Sequence, residues 1–294
     1  MTTPKSNITV LHWVIFIALA VTWGSSFILM KRGMDVFSSD QVAALRIFIA
    51  FLFILPFTFR HVKKEFAAHW KGYLGMGVCG NLIPAFLFTA AETGISSSLT
   101  GILNSLTPIF TLVTGLLIFG NRAGWLQALG LLIGLGGAVG LVLSGEDDGK
   151  NTHLWYAGLV VIATLFYGLS VNIIKSKLGG INSVTATVWA LLFIGPPAGI
   201  YLFTTDFVSR MSLGQAWASL GYTTILAVFG TALSVMVYNL LIKQAGTLFA
   251  ASVTYAIPIV ALGWGVIDDE PVSVWHLVFI GVILAGVWLV TKKK

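Results

Sequence analysis

Ten stretches of roughly 20 mostly apolar residues follow one another along this chain, joined by short connections: 11–30, 40–59, 71–91, 95–119, 124–143, 154–174, 183–203, 216–241, 247–267 and 273–290. A helix rises about 1.5 Å per residue, so stretches of this length match a hydrocarbon core about 30 Å thick. Lipid offers the backbone no hydrogen bonds, and continuous apolar runs of this kind therefore predict α-helices. A β-barrel would need residue-by-residue alternation, which these runs lack. Charged residues make up 10% of the chain, against about 25% in a soluble domain, and almost nothing remains for one. Lys5 ahead of an apolar run resembles the start of a cleaved signal peptide, but the run continues to Met30 and is read as the first helix.

The chain also repeats itself. Thr22-Trp23-Gly24-Ser25-Ser26, leading to Lys31, returns 144 residues later as Phe166-Tyr167-Gly168-Leu169-Ser170, leading to Lys175. Residues 101–108 (GILNSLTP) fall on residues 251–258 (ASVTYAIP), 150 positions on. The duplication divides the chain into 8–145 and 152–291, with five apolar stretches in each. Because five is odd, the second copy enters the membrane from the opposite side. The expected architecture is an all-α integral membrane protein: ten transmembrane helices as two inverted five-helix repeats around a central cavity. Inverted repeats can exchange conformations, opening a cavity first to one side and then to the other.

Basic residues set the expected orientation, since Lys and Arg are retained on the cytoplasmic side. Twelve lie on the side of the N-terminus (Lys5, Arg60, Lys63, Lys64, Lys71, Arg122, Lys175, Lys177, Lys243 and Lys292, Lys293, Lys294), against Lys31, Arg32, Lys150 and Arg210 on the other. Both termini are expected to be cytoplasmic, in a bacterial inner membrane. Ten of eleven acidic residues fall on the outer side, Glu65 being the exception. The net charge of +6 is scattered over short loops rather than gathered on one face, so nucleic acid is not an expected partner. The expected partners are the bilayer and a small-molecule substrate.

Enzymatic chemistry has few parts here. There is no His-Glu-x-x-His, no cysteine-histidine cluster and no Gly-x-Ser-x-Gly, which leaves a membrane-embedded lipid-modifying enzyme without its machinery. No cofactor or metal is expected. A channel is nearer in kind, but the rings of charge that line one common class of ion pore are missing. The single cysteine, Cys79, lies in the third stretch and reads as a packing residue.

Polar side chains within apolar stretches are costly unless they face protein or water. Ser26, Asn81, Asn104, Asn172, Thr231 and Thr254 lie at depths that suit a central cavity, and the repeat matches Asn81 with Thr231 and Asn104 with Thr254. Each could instead bond its own helix or a neighbour. Trp23, Tyr167, Tyr238 and Tyr255 could supply an aromatic wall with polar edges. Arg46 sits about 9 Å into the second stretch and reads either as an anchor for a substrate anion or as a structural arginine reaching the interface. Pro108 and Pro258, matched by the repeat, are candidate hinges because each removes an intrahelical bond. No carboxylate lies mid-stretch, and Glu92 comes nearest. Small residues at four-residue spacing, such as Gly130 and Gly134, predict close helix contact, within one subunit or between two copies alike.

The Trp-Gly-Ser-Ser pattern with its following Lys, Leu45-Arg46, the Ser/Thr-rich entry to a proline-containing fourth stretch, and their repetition together resemble the drug/metabolite transporter superfamily, specifically its ten-helix EamA-like exporters. The resemblance runs from about His12 to Val290. It implies a central cavity between two halves and the export of small metabolites, plausible ones being amino acids, as in the aromatic amino-acid exporter type, or other amphipathic compounds. The chain departs from the family where Gly120-Asn121-Arg122 replaces the frequent Gly-Glu, while Asp269-Glu270-Pro271 keeps it in the second copy.

Overall fold

The computed structural model describes residues 9–61, 66–120, 124–143, 152–245 and 253–291, and these contain helices but no strand. The helices are α1 (Val10–Gly24), α2 (Ser26–Gly33), α3 (Ser39–His61), α4 (Phe66–Gly77), α5 (Ile83–Ala91), α6 (Ser97–Asn104), α7 (Thr107–Leu117), α8 (Trp125–Leu143), α9 (Thr152–Lys177), α10 (Ser183–Thr204), α11 (Phe207–Arg210), α12 (Ala216–Ile225), α13 (Ser234–Ala245), α14 (Val253–Ile267) and α15 (Val274–Thr291). Two π-helical segments, Val78–Leu82 and Leu226–Leu233, join α4 to α5 and α12 to α13.

Among the described residues seven helices are long and apolar enough to cross a membrane, and α6 with α7 makes an eighth if that pair, bent by 40°, is one span. Two shorter apolar helices, Val253–Ile267 and Val274–Val290, follow. Each of the ten stretches thus contains apolar helix among the described residues, with seven or eight of them long enough to be spans. The protein is a multi-pass membrane protein. Asn121, residues 144–151, the start of the 251–258 repeat segment and the extreme termini lie outside the described residues.

The packing inverts the habit of a soluble protein. Helix α8 buries Gly130, Gly134, Gly137, Ala138 and Leu141 while exposing Leu129, Leu132, Val139 and Leu143. Large apolar side chains cost nothing against lipid tails, whereas small ones let backbones approach. A Cβ on Gly286 of α15 would lie 2.4 Å from the Gly134 nitrogen, which shows how close α8 and α15 come. Helices α3 and α10 form a second peripheral pair.

The repeated Trp-Gly and Tyr-Gly pairs place the central helices. A Cβ on Gly24 would fall 2.5 Å from Cβ of Val260, and one on Gly168 would fall 2.5 Å from the Phe110 carbonyl carbon. Gly24 and Gly168 correspond through the 144-residue offset, and Phe110 and Val260 through the 150-residue one. Each first helix of a copy thus packs on the fourth stretch of the other, α1 on α14 and α9 on α7. This exchange brings both halves around one central space.

The two π segments also correspond, since 78–82 moved by 150 falls within Leu226–Leu233. Pro84 explains the first: it has no N–H for the Gly80 carbonyl and its ring would crowd the preceding turn, strain that a widened turn relieves. Position 234, its equivalent, is serine, and Ser234 Oγ donates to the Phe229 carbonyl at 2.5 Å, satisfying a backbone acceptor beside the widened turn. The 40° bend between α6 and α7 falls at Ser105–Leu106, with Pro108 in the first turn of α7, whereas Pro258 lies inside an unbroken α14.

Candidate functional site

The helices enclose a cavity of ≈ 170 Å³ between the two halves of the chain. Seven of the ten residues expected to contact a ligand line it: Trp23, Ser26, Asn81, Asn104, Tyr167, Tyr238 and Thr254. Arg46 lines it as well. Asn172, Thr231 and Tyr255 do not stand on its wall. Asn172 Nδ2 donates to the carbonyls of Thr111 at 2.8 Å and Gly168 at 3.1 Å and to Thr114 Oγ1 at 2.9 Å, so it rivets α9 to α7. Tyr255 packs against the apolar core around Ile257 and Ala261. Thr231 lies directly behind the wall, where its Oγ1 accepts from Arg46 Nε at 2.7 Å.

Aromatic rings form two sides of the space. The edge of Trp23 meets Tyr238 with ring centroids 5.1 Å apart, and Tyr167 stacks on Phe88 at 5.6 Å, which in turn meets Phe27 at 5.9 Å. The π segments contribute the backbone between them. Trp23 Nε1 donates to the Gly230 carbonyl at 3.2 Å. Gly230 and Gly80 also sit where side chains would collide with Ser26 and Ser170, whose Oγ atoms would be 3.0 and 2.4 Å from an added Cβ. The two serines match through the repeat, as do the two glycines, so each π segment receives the other copy's first helix.

Arg46 is the cation of the cavity. Besides Thr231, its Nη1 faces Met30 Sδ at 3.9 Å, and it lies beside the Tyr167 hydroxyl. Among the described residues no carboxylate lies within 4.0 Å of it. An arginine has five donors in a planar fork suited to a carboxylate or phosphate, and the contacts with Thr231, Met30 and Tyr167 do not use them all.

One end of the bundle is fastened by ion pairs and hydrogen bonds from three separate parts of the chain. Asp269 adopts φ 57° after α14, a left-handed conformation that Asp tolerates, and Glu270 N bonds back to the Gly265 carbonyl at 2.9 Å. This turn folds Glu270 over the first turn of α6. Its Oε1 accepts from Ser97 N at 3.0 Å and Ser97 Oγ at 2.8 Å, and its Oε2 from Ser98 N at 3.0 Å and Ser98 Oγ at 2.6 Å. Lys31 Nζ, on α2, adds a fifth donor at 3.0 Å and also pairs with Asp268. Arg32 pairs with Asp268 too. Burial alone would raise the Glu270 carboxyl, but these donors, Ser98 foremost, overcome it and hold it at about 2.

The repeat does not carry the same residues at the corresponding positions of the sequence. Lys175 answers to Lys31, but Ile118 and Gly120 answer to Asp268 and Glu270, and Thr247-Leu248 answers to Ser97-Ser98. Sequence reasoning noted Glu270 only as an acidic residue kept in the second copy. Its role needed the pairing of positions some 170 apart, although the departure from Gly-Glu at Gly120-Asn121, set against Asp269-Glu270, was the visible signal. Met30, Met76, Phe88, Ser170 and Asn239, which also line the cavity, were not singled out either. The repeat could have supplied Ser170 from Ser26.

Comparison with known proteins gives a consistent picture. The EamA-like transporter family matches residues 11–143 and again residues 154–292. A protein of Archaeoglobus fulgidus described as an uncharacterized transporter is 25% identical over 96% of this chain and 99% of its own. The uncharacterized inner membrane transporter YedA of Escherichia coli K12 is 27% identical over 94% of this chain and 89% of its own. A probable amino-acid metabolite efflux pump of the same strain is 22% identical, covering 92% and 91%. A solved crystal structure aligns with 95% of this chain and 96% of its own at a TM-score of 0.64 and 13% identity, a likeness of fold.

Proposed function

The chain belongs to the EamA-like transporter family, and from that premise we propose that it is a secondary transporter exporting small amphipathic metabolites that carry an anionic group, amino acids among them. It is a transporter rather than an enzyme, as its family and relatives are. The observation that carries the reading is Arg46 in the wall of the central cavity, with no carboxylate partner among the described residues and flanked by Trp23, Tyr167 and Tyr238. A half-buried cation without a carboxylate partner favours an anionic group on the ligand, and the flat aromatic faces favour an apolar remainder. Asn104, Asn81 and Thr254 are left to orient polar groups. The name of the E. coli efflux pump agrees with this class of substrate.

Movement follows from the duplicated plan. In our reading residues 8–145 and 152–291 are inverted five-helix repeats, ten spans in all, with both termini cytoplasmic. The reciprocal contacts Gly24 with Val260 and Gly168 with Phe110 support a common interface used twice. The Lys31 end then faces outward and is closed by Glu270, while the cavity reaches toward the inner ends of the helices through Ile174 and Asn239. Because the outer closure is ionic and the corresponding inner positions hold no carboxylate, the resting state faces the cytoplasm. Substrate enters there, the inner ends close, and the outer ion pairs part. Pro108, at the bend between α6 and α7, is one hinge and Pro258 the other.

Counterflow into proteoliposomes tests this directly, using labelled phenylalanine against a panel of amino acids and their amines. Exchange of the acids with rejection of the corresponding amines is expected. Equal exchange of both would remove the anion-anchor role of Arg46.

A further inference from the structure

One carboxylate outside the ionic closure and the cavity wall is set apart by its burial. Glu92 directly follows α5 at the Lys31 end of the bundle, and both its carboxylate oxygens are buried with no hydrogen-bond partner among the described residues. The charged groups that face it are Glu270, Lys31 and Arg46. From α9, Tyr156 packs on Gly94, two residues further along. Glu92 thus lies within electrostatic reach of both the closure and the arginine of the cavity.

An ionised carboxylate without donors is costly in such a place. Glu270 adds repulsion, because its five donors keep it ionised. Lys31 and Arg46 pull the other way, yet Lys31 is engaged by Asp268 and Glu270 and Arg46 by Thr231. A neutral carboxyl resolves the conflict. When the closure parts, water reaches the same group and the ionised form becomes the stable one.

We propose that Glu92 is a proton-binding site linked to the closure: it holds a proton while Glu270 joins α2, α6 and α14, and releases it to the outer water when they separate. The step moves one proton and no electrons. Closing takes the proton from that water, and opening returns it. The proposal rests on the reading that the Lys31 end opens during transport. The sign follows from linkage. Glu92 binds its proton more tightly closed than open, so acidity favours closure, and the closed population falls by up to about tenfold per pH unit as pH rises between the open-state and closed-state values.

The test requires no substrate. Infrared spectroscopy of the full chain in lipid nanodiscs follows the C=O stretch of a protonated carboxyl, while an impermeant thiol reagent applied from the Lys31 side to reconstituted Val171→Cys in a Cys79→Ser background reports opening. At neutral pH the wild type is expected to show a protonated-carboxyl band that Glu92→Gln lacks, and raising the pH should remove the band and open the Lys31 end together. Glu92→Gln, which imitates the protonated form, should stay closed over that range, and Glu92→Asp should restore the response. A wild type without the band, a band that persists while the end opens, or a Glu92→Gln variant with wild-type pH dependence each overturns the proposal. Absence of any metabolite transport with these responses intact would count against the transport reading instead.

Discussion

Arg46 Nε donates to Thr231 Oγ1 at 2.7 Å across 185 positions of chain, so the cation of one half is aimed by a hydroxyl of the other. The side chain itself lines the cavity. Replacing Arg46 with Gln should raise KM for an amino-acid substrate about 10- to 100-fold, the range set by one charge-assisted hydrogen bond. Arg46→Lys keeps the charge without the fork and should recover only part of this. Concentration-dependent counterflow in proteoliposomes measures both.

The Glu270 closure predicts a pH-dependent stability. A carboxyl held at about 2 when folded, against 4.5 ordinarily, contributes stabilisation that is complete above its unfolded value. That contribution is lost as pH falls toward about 2. Glu270→Gln should therefore lower Tm at neutral pH, by the equivalent of about 1–3 kcal/mol, and the gap to wild type should close on acidification. Thermal melts of detergent-solubilised protein across pH would read this out.

Close helix contact gives a third expectation. Gly168→Ala places a Cβ 2.5 Å from the Phe110 backbone, where nothing flexible can yield, whereas Gly136→Ala meets nothing within 4 Å. The first should destabilise by about 1–3 kcal/mol. The second should be neutral or slightly stabilising, as Ala is the better helix former. Melting temperatures of the two variants decide it.

The two asparagines Asn104 and Asn172 should separate function from stability. Asn172→Ala breaks three hydrogen bonds between and within α9 and α7 and should lower Tm while sparing KM. Asn104→Ala removes a cavity-facing amide and should do the reverse. Paired melts and counterflow on each variant would check the division.

Much of this was legible from residues alone, and the limits are physical. The helical class followed from apolar length, Asn104 from polarity at mid-depth, and Trp23 and Tyr167 as aromatic residues at matching places in the repeat. Depth, however, does not say which way a side chain faces. Tyr167, Ser170, Val171 and Ile174 share a helix face and line the cavity, whereas Asn172 lies four residues after Gly168 and so on the face applied to α7. The same spacing argument places Thr254 with Ile257 on the wall and turns Tyr255 away. The Glu270 closure was out of reach because it depends on a left-handed residue, Asp269, and on the first turn of α6 arriving from the other half of the chain.

Alternating access is the central claim, and the accessibility of one cavity residue from each side of the membrane tests it most directly. Val171→Cys in a Cys79→Ser background should react with an impermeant thiol reagent from the Lys175 side and not from the Lys31 side. Adding Glu270→Gln should transfer reactivity to the Lys31 side while reducing it at the other. A residue that reacts from both sides at once with the closure intact, as in a channel, would contradict the account.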